Sequence, residues 1–372
     1  MSDRIAPPRL LLRLEAEIAS ARSQLDADCK RAERAAYLAR VGRIESAESE
    51  VAELEQRYRS SPNARVSSWL HLVLGLVGHF SKMDPAARDR ILRAHALSTA
   101  ANLTQLRALS AAWLAHMDYL QVNMGSMIAR VSESLRLAAD TDHSTRSRAS
   151  LVVAQAYHLA GSLDIALLWY ARVRNHASAE GDDATLSALM HNMAWLRAQQ
   201  LRVSGWMRSE SACDDGHALL GAQSAASFDT MIGLTSLRGL IPVLRAQIHV
   251  ARGQHGDALA LYEANLNQAV RDGMRRLQAD LTADQAWCRV NLGQTSQAKE
   301  DAKMAEALID TDGQFDDRAM AHGRLAQVFA ALGEADRAAR HRALALEAFA
   351  GHEALRVETL RMLAESPQTR SV

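Results

Sequence analysis

The sequence predicts an all-α solenoid of about eight antiparallel helical hairpins, and three observations lead to it. Gly253, Gly293 and Gly333 stand 40 residues apart, and each is followed five residues later by an alanine: Ala258, Ala298 and Ala338. Each glycine separates two runs of helical periodicity. A helix exits readily through a residue that tolerates left-handed backbone, which glycine does without a Cβ penalty. The composition is 48% hydrophobic but only 5% aromatic, rich in strong helix formers, and six prolines in 372 residues leave long helices unbroken. The alanine falls in the first turn of the second helix, where a small side chain lets paired helices approach. Hairpins of this kind bury their apolar faces against neighbours, so the array reads as one elongated unit.

From the N-terminus, Pro7 and Pro8 mark the start of a first helix. Leu11, Leu14, Ile18, Ala21 and Leu25 then recur at steps of three and four. That spacing fits either a cap on the first hairpin or a coiled-coil seam for a homodimer, and residues 1–27 are assigned to this helix. Residues 28–208 hold five hairpins, with turns at Gly42, near Lys82, near Asn123, at Gly161 and at Leu201. Gly42 with Ala47 and Gly161 with Ala166 repeat the full signature, while Asp84-Pro85 opens a helix whose alanine slot is Ala87. The step from Leu201 to Gly253 is about 12 residues too long, so 209–236 reads as an irregular, solvated insertion. Residues 237–350 hold three further hairpins. In 351–372, Gly351 ends the last of them, Val357–Ala364 forms a capping helix, and the polar tail from Glu365 is disordered.

These residues resemble the tetratricopeptide repeat family. Ala154, Tyr157, Gly161, Ala166 and Tyr170 follow its order of small residue, aromatic, turn glycine and alanine, as do Leu325, Ala326, Phe329, Gly333, Ala338 and Ala345. Asn192-Met193-Ala194 resembles the family's Asn-Leu-Gly. The period is 40 rather than the usual 34, and the helix-ending proline is missing, so the helices should be longer. The resemblance implies a right-handed superhelix whose first helices line a concave groove, and this long-period form is similar to sensor arrays of bacterial regulators. No GGDEF-like motif or three-helix DNA-reading module accompanies it, which would place any output module on another polypeptide or on a missing part of the chain. The family register puts Gln155, His158, His191, Trp195, Gln247 and Trp287 in the groove, where amides and aromatics would hold an extended peptide. For Trp195 and Trp287, packing between helices is the competing reading.

Chemistry is hard to find. None of the 14 histidines lies in HExxH, and neither GxSxG nor a glycine-rich phosphate loop occurs, so no catalytic residue and no cofactor is expected. Cys213, Asp214, Asp215 and His217 gather metal-competent groups, but mixed donors on a flexible loop make a poor preformed site, and no metal is assigned. Arg202, Arg208, Arg271, Arg275 and Arg276 fall near hairpin ends and read as solvated. The groove lacks the lysine and arginine ladder that recognises acidic chaperone tails.

Lys+Arg and Asp+Glu both number 43, which removes any general attraction to nucleic acid or acidic membranes. Three scattered cysteines without CxxC spacing fit a reducing compartment. The Leu10–Leu12 run is broken at once by Arg13, and nowhere do 18 apolar residues run together, so the protein is expected in the cytoplasm. The expected function is that of a non-catalytic scaffold or sensor that binds a protein or peptide and regulates a partner in a signalling pathway. A small-molecule-sensing array is the alternative, favoured by an enclosed pocket over an open groove; an unrecognised enzyme ranks last.

Overall fold

The computed structural model describes residues 8–207, 215–235, 239–311 and 313–370. Among them are seventeen α-helices and one 3₁₀ turn, and packing is mainly between helices adjacent in sequence. None of these helices is long and apolar enough to cross a membrane. A first helix, α1 (Arg9–Ala19), is followed by sequential pairs: α2 (Gln24–Arg40) with α3 (Ile44–Arg57), α4 (Ala64–Lys82) with α5 (Ala87–Ala100), α6 (Thr104–Leu120) with α7 (Met124–Leu137), and α8 (His143–Leu159) with α9 (Leu163–Glu180). Next come α10 (Asp183–Met207) with α11 (Asp215–Ile232), α12 (Leu240–Ala251) with α13 (His255–Arg271), α14 (Gln278–Asn291) with α15 (Thr295–Leu308), and α16 (Phe315–Ala331) with α17 (Ala335–Glu365).

One turn chemistry recurs through the array. A left-handed residue lies between the helices of seven pairs: Gly42 (φ 83°), Met83 (51°), Val122 (59°), Gly161 (84°), Gly253 (71°), Gly293 (75°) and Gly333 (78°). The amide that follows usually reaches back five positions to close the helix end, as in Arg43 N–H to the Leu38 carbonyl (2.9 Å), Asn123 to Asp118 (2.8 Å) and Glu334 to Phe329 (2.9 Å). At Gly253, Gly293 and Gly333 an added Cβ would meet open space, so it is the backbone angle that selects glycine there. The small residue five positions on is fully buried at Ala47, Ala166, Ala258 and Ala298.

The expected turns at Lys82 and Asn123 are each displaced by one residue, to Met83 and Val122. The turn expected at Leu201 does not exist: α10 runs through it as one 25-residue helix, and the chain between α10 and α11 lies outside the described residues. The irregular insertion expected over 209–236 instead contains the 18-residue helix α11, so the extra length extends the fifth pair. Nor is the N-terminal stretch one helix. It stops at Ala19 and restarts at Gln24 under a Ser23 cap, which puts Leu25 on a different helix from Leu11 and Leu14. Leu10, Leu11 and Leu14 are buried in this chain's own core, as a cap requires. At the other end Gly351 lies inside α17, and no separate capping helix follows. The segment after Glu365 is packed as far as it is described: Thr369 is buried, and its carbonyl accepts a hydrogen bond from Tyr157 Oη at 3.0 Å.

The chain forms two compact units. Unit 1 is Met1–Leu189, Ser227–Leu237 and Glu358–Val372; unit 2 is Met190–Ala226 and Arg238–Val357. In unit 1 the first helices of three successive pairs, α2, α4 and α6, share one apolar core, and α8 packs against α6. The start of α10 also meets α2, because Arg40 reaches Asp182 and Thr185 at 2.9 and 2.7 Å. On the same side, Thr235 N–H donates to the Val41 carbonyl at 3.0 Å. The first and fifth pairs therefore touch.

Candidate functional site

Helical spacing dictates which side chains of unit 1 share a face. Residues three, four and seven apart share a side of a helix, which aligns Glu33, Tyr37 and Arg40 on α2, Leu109, Trp113 and His116 on α6, and Thr145, Arg148 and Gln155 along α8. A cavity of about 180 Å³ occupies the early turns, lined by Cys29, Glu33, Trp69, Leu106, Leu109 and Thr145 among others. One turn further along the same helices comes a buried polar cluster.

Arg148 is its centre. Only 4% of it is exposed, and its guanidinium lies over the Trp113 ring at 3.9 Å from the centroid. Among the described residues it makes no hydrogen bond or ion pair, and its Nε is buried without a partner. Burial, and next the neighbouring charge of Arg40, push its pKa down to about 9, with Asp182 only partly offsetting them. Asp182 is itself committed: it accepts from Arg40, from the Thr185 amide at 3.0 Å and from the Thr185 hydroxyl at 2.8 Å. Asp182 thus pairs with Arg40, and Arg148 has no ion partner among the described residues.

The imidazole rings beside Arg148 add no charge. His79 meets His116 edge to face at 5.5 Å, and His116 meets Trp113 at 5.9 Å. Desolvation, and after it the charge of Arg148, hold His79 down to about 4 and His116 well below its ordinary value, so both rings are neutral near pH 7. The Tyr37 hydroxyl is buried without a partner, and burial raises its pKa. The cluster offers hydrogen-bond donors and, in Arg148, a positive charge without an ion partner among the described residues.

Unit 2 holds a polar group of a different kind. Arg202 bonds Asp280 at 2.5 and 2.8 Å and Asp284 at 3.0 Å, and Arg324 bonds Asp284 at 2.6 Å. The Tyr262 hydroxyl donates to Asp284 at 3.0 Å. Burial works to raise the Asp284 pKa, but Arg202 and then Arg324 outweigh it and hold the carboxyl low. Arg202 is therefore not the solvated side chain its position beside a supposed turn implied: it is 1% exposed and paired with two carboxylates.

The six residues expected in the groove divide between the units. In unit 1, Gln155 and His158 are both buried; Gln155 Oε1 finds no partner among the described residues, and His158 Nδ1 lies 3.3 Å from the Tyr170 hydroxyl. In unit 2, His191 is buried, and the half-buried Trp195 and Trp287 both pack against the cluster that contains Val243, Tyr262 and Cys288. Gln247 is fully buried, with neither amide atom partnered among the described residues. Of the insertion cluster, Cys213 and Asp214 lie outside the described residues, as do the side chains of Asp215 and His217.

No protein-family model matches the chain, and no curated protein is similar to it. The site therefore stands on its own geometry. Sequence reasoning missed Arg148, Arg40 and His116, although one signal was present: Arg148 lies seven residues before Gln155 and so shares its face of α8.

Proposed function

We propose that the protein is a non-catalytic sensor array of the tetratricopeptide-repeat kind, its hairpins wound as a right-handed superhelix, which binds a small molecule at the inner face of unit 1 and thereby regulates a partner protein. The observation that carries this reading is the cavity of about 180 Å³ in unit 1, whose first and fifth pairs touch through Arg40 and Asp182. A partly enclosed pocket with both apolar and polar lining suits a small ligand better than an extended chain. Binding would regulate by favouring the closed arrangement of unit 1 over one in which the Arg40–Asp182 contact is open. The similarity in pattern to bacterial sensor arrays supports a signalling role, and the balanced charge favours neither nucleic acid nor membrane as partner.

Peptide binding in a groove is the second reading. It draws on Trp195 and Trp287, which keep part of their surface exposed while anchored in the core of unit 2.

The test is native mass spectrometry of the full chain purified from its own cells. A stoichiometric small molecule that is lost on denaturation, and whose retention drops in a Trp69→Ala variant, is the expected result. Co-purification of a peptide retained by the wild type but not by Trp195→Ala would replace this reading with the second.

A further inference from the structure

Arg148 stands in the unit 1 cluster without an ion partner among the described residues. Arg40 and Arg148 are both buried, Asp182 is the carboxylate between them, and Asp182 already accepts from Arg40 and Thr185. A buried guanidinium without an ion partner is strongly disfavoured, so the position of Arg148 calls for an anion from outside the chain. Geometry indicates which kind. Trp113 covers one face of the Arg148 guanidinium at 3.9 Å, which fixes its plane and leaves its edge N–H groups to converge on a planar acceptor. The partnerless Tyr37 hydroxyl and His116 Nδ1 border the same space and add hydrogen-bonding capacity without adding charge.

We propose that Arg148 is a buried receptor for the carboxylate of a small organic monoanion, whose single negative charge compensates that of the Arg148 guanidinium. The apolar body of that molecule extends one helical turn back, into the cavity lined by Trp69, Leu106 and Leu109. This rests on the ligand-binding reading given above and names the group recognised. A carboxylate fits better than a phosphate because a dianion would leave the cluster overneutralised in a desolvated setting.

The test uses the full chain at fixed ionic strength, with acetate, benzoate and inorganic phosphate as probes in thermal unfolding and calorimetric titration. The expected result is a saturable rise in Tm with acetate and a tighter one with benzoate, little response to phosphate, and no carboxylate response in Arg148→Met. Arg148→Lys keeps the charge but loses the planar fork, and its carboxylate affinity should fall about tenfold. In carboxylate-free buffer Arg148→Met should melt at or above the wild type, because an unpaired buried charge has been removed. The proposal is overturned if the wild type responds to neither carboxylate, if Arg148→Met responds as the wild type does, if phosphate binds more tightly than benzoate, or if Arg148→Met melts lower without carboxylate. Should a native ligand be found that binds Arg148→Met undiminished, the carboxylate receptor falls while the sensor reading stands. Carboxylate binding that needs Arg148, in a protein that carries no native ligand, has the opposite meaning.

Discussion

The two units place buried arginines on their inner helices and treat them in opposite ways. In unit 2, Arg202 and Arg324 face Asp280 and Asp284, Tyr262 closes the network, and every charge has an ionic partner. In unit 1, Asp182 pairs with Arg40, Arg148 has no ion partner among the described residues, and the nearby histidines are held neutral by burial. A saturated network holds helices in register and has no capacity left for a ligand. An unsaturated one has that capacity, at a cost in stability that a ligand can return.

The largest test of this contrast is Asp284→Asn. It removes the acceptor charge shared by Arg202 and Arg324 and should destabilise the protein by about 3–5 kcal/mol in denaturant unfolding. A loss under about 1 kcal/mol would show that the unit 2 network is not self-contained, and the contrast would collapse.

Acid sensitivity comes next. The folded pKa of His79 is depressed to about 4 from an ordinary value near 6.5, so the unfolded chain binds the proton first as pH falls. Stability is fully present above about 6.5 and is lost progressively down to about 4, amounting to about 3 kcal/mol for this histidine alone. Melting curves at pH 7 and pH 4.5 should show the loss, and His79→Phe should reduce it. An unchanged pH slope in that variant would mean that the ring is solvated.

Gln247→Met sharpens the comparison from the unit 2 side. Both amide atoms of Gln247 are buried without partners, so a thioether of similar volume should raise stability by about 1–2 kcal/mol. A decrease in chemical-denaturation midpoint would indicate that the amide is hydrogen-bonded within the saturated region after all.

The smallest effect concerns turns. Unit 2 uses glycine at 253, 293 and 333, whereas unit 1 holds the β-branched Val122 at φ 59°. Val122→Gly should relieve about 1 kcal/mol of left-handed strain. If Tm does not rise, the turn geometry at that pair differs from its neighbours.

The repeat was legible because its signal is local. One glycine every 40 residues states where the backbone must turn left, and Gly253, Gly293 and Gly333 do so. Where the turn residue is not glycine, as at Met83 and Val122, the ruler still came within one position. It failed at Leu201 because nothing local announces that α10 is 25 residues long while α8 has 17. The polar clusters were illegible for a related reason. Arg202 finds Asp280 and Asp284 some 78 and 82 residues away, and an arginine beside a supposed turn looks the same whether its partner is water or a buried carboxylate. Arg148 is harder still, since what distinguishes it is a missing partner.

Tyr157 donates its hydroxyl proton to the carbonyl of Thr369, 212 positions further along the chain. During synthesis α8 therefore leaves the ribosome long before its acceptor exists. The early pairs can form locally, but unit 1 also draws on Ser227–Leu237 and Glu358–Val372, so it is completed only after most of unit 2 has been made. A protein built this way completes its first unit last, and a premature stop within the last turns of α17 would spare nearly every helix yet leave that unit unfinished.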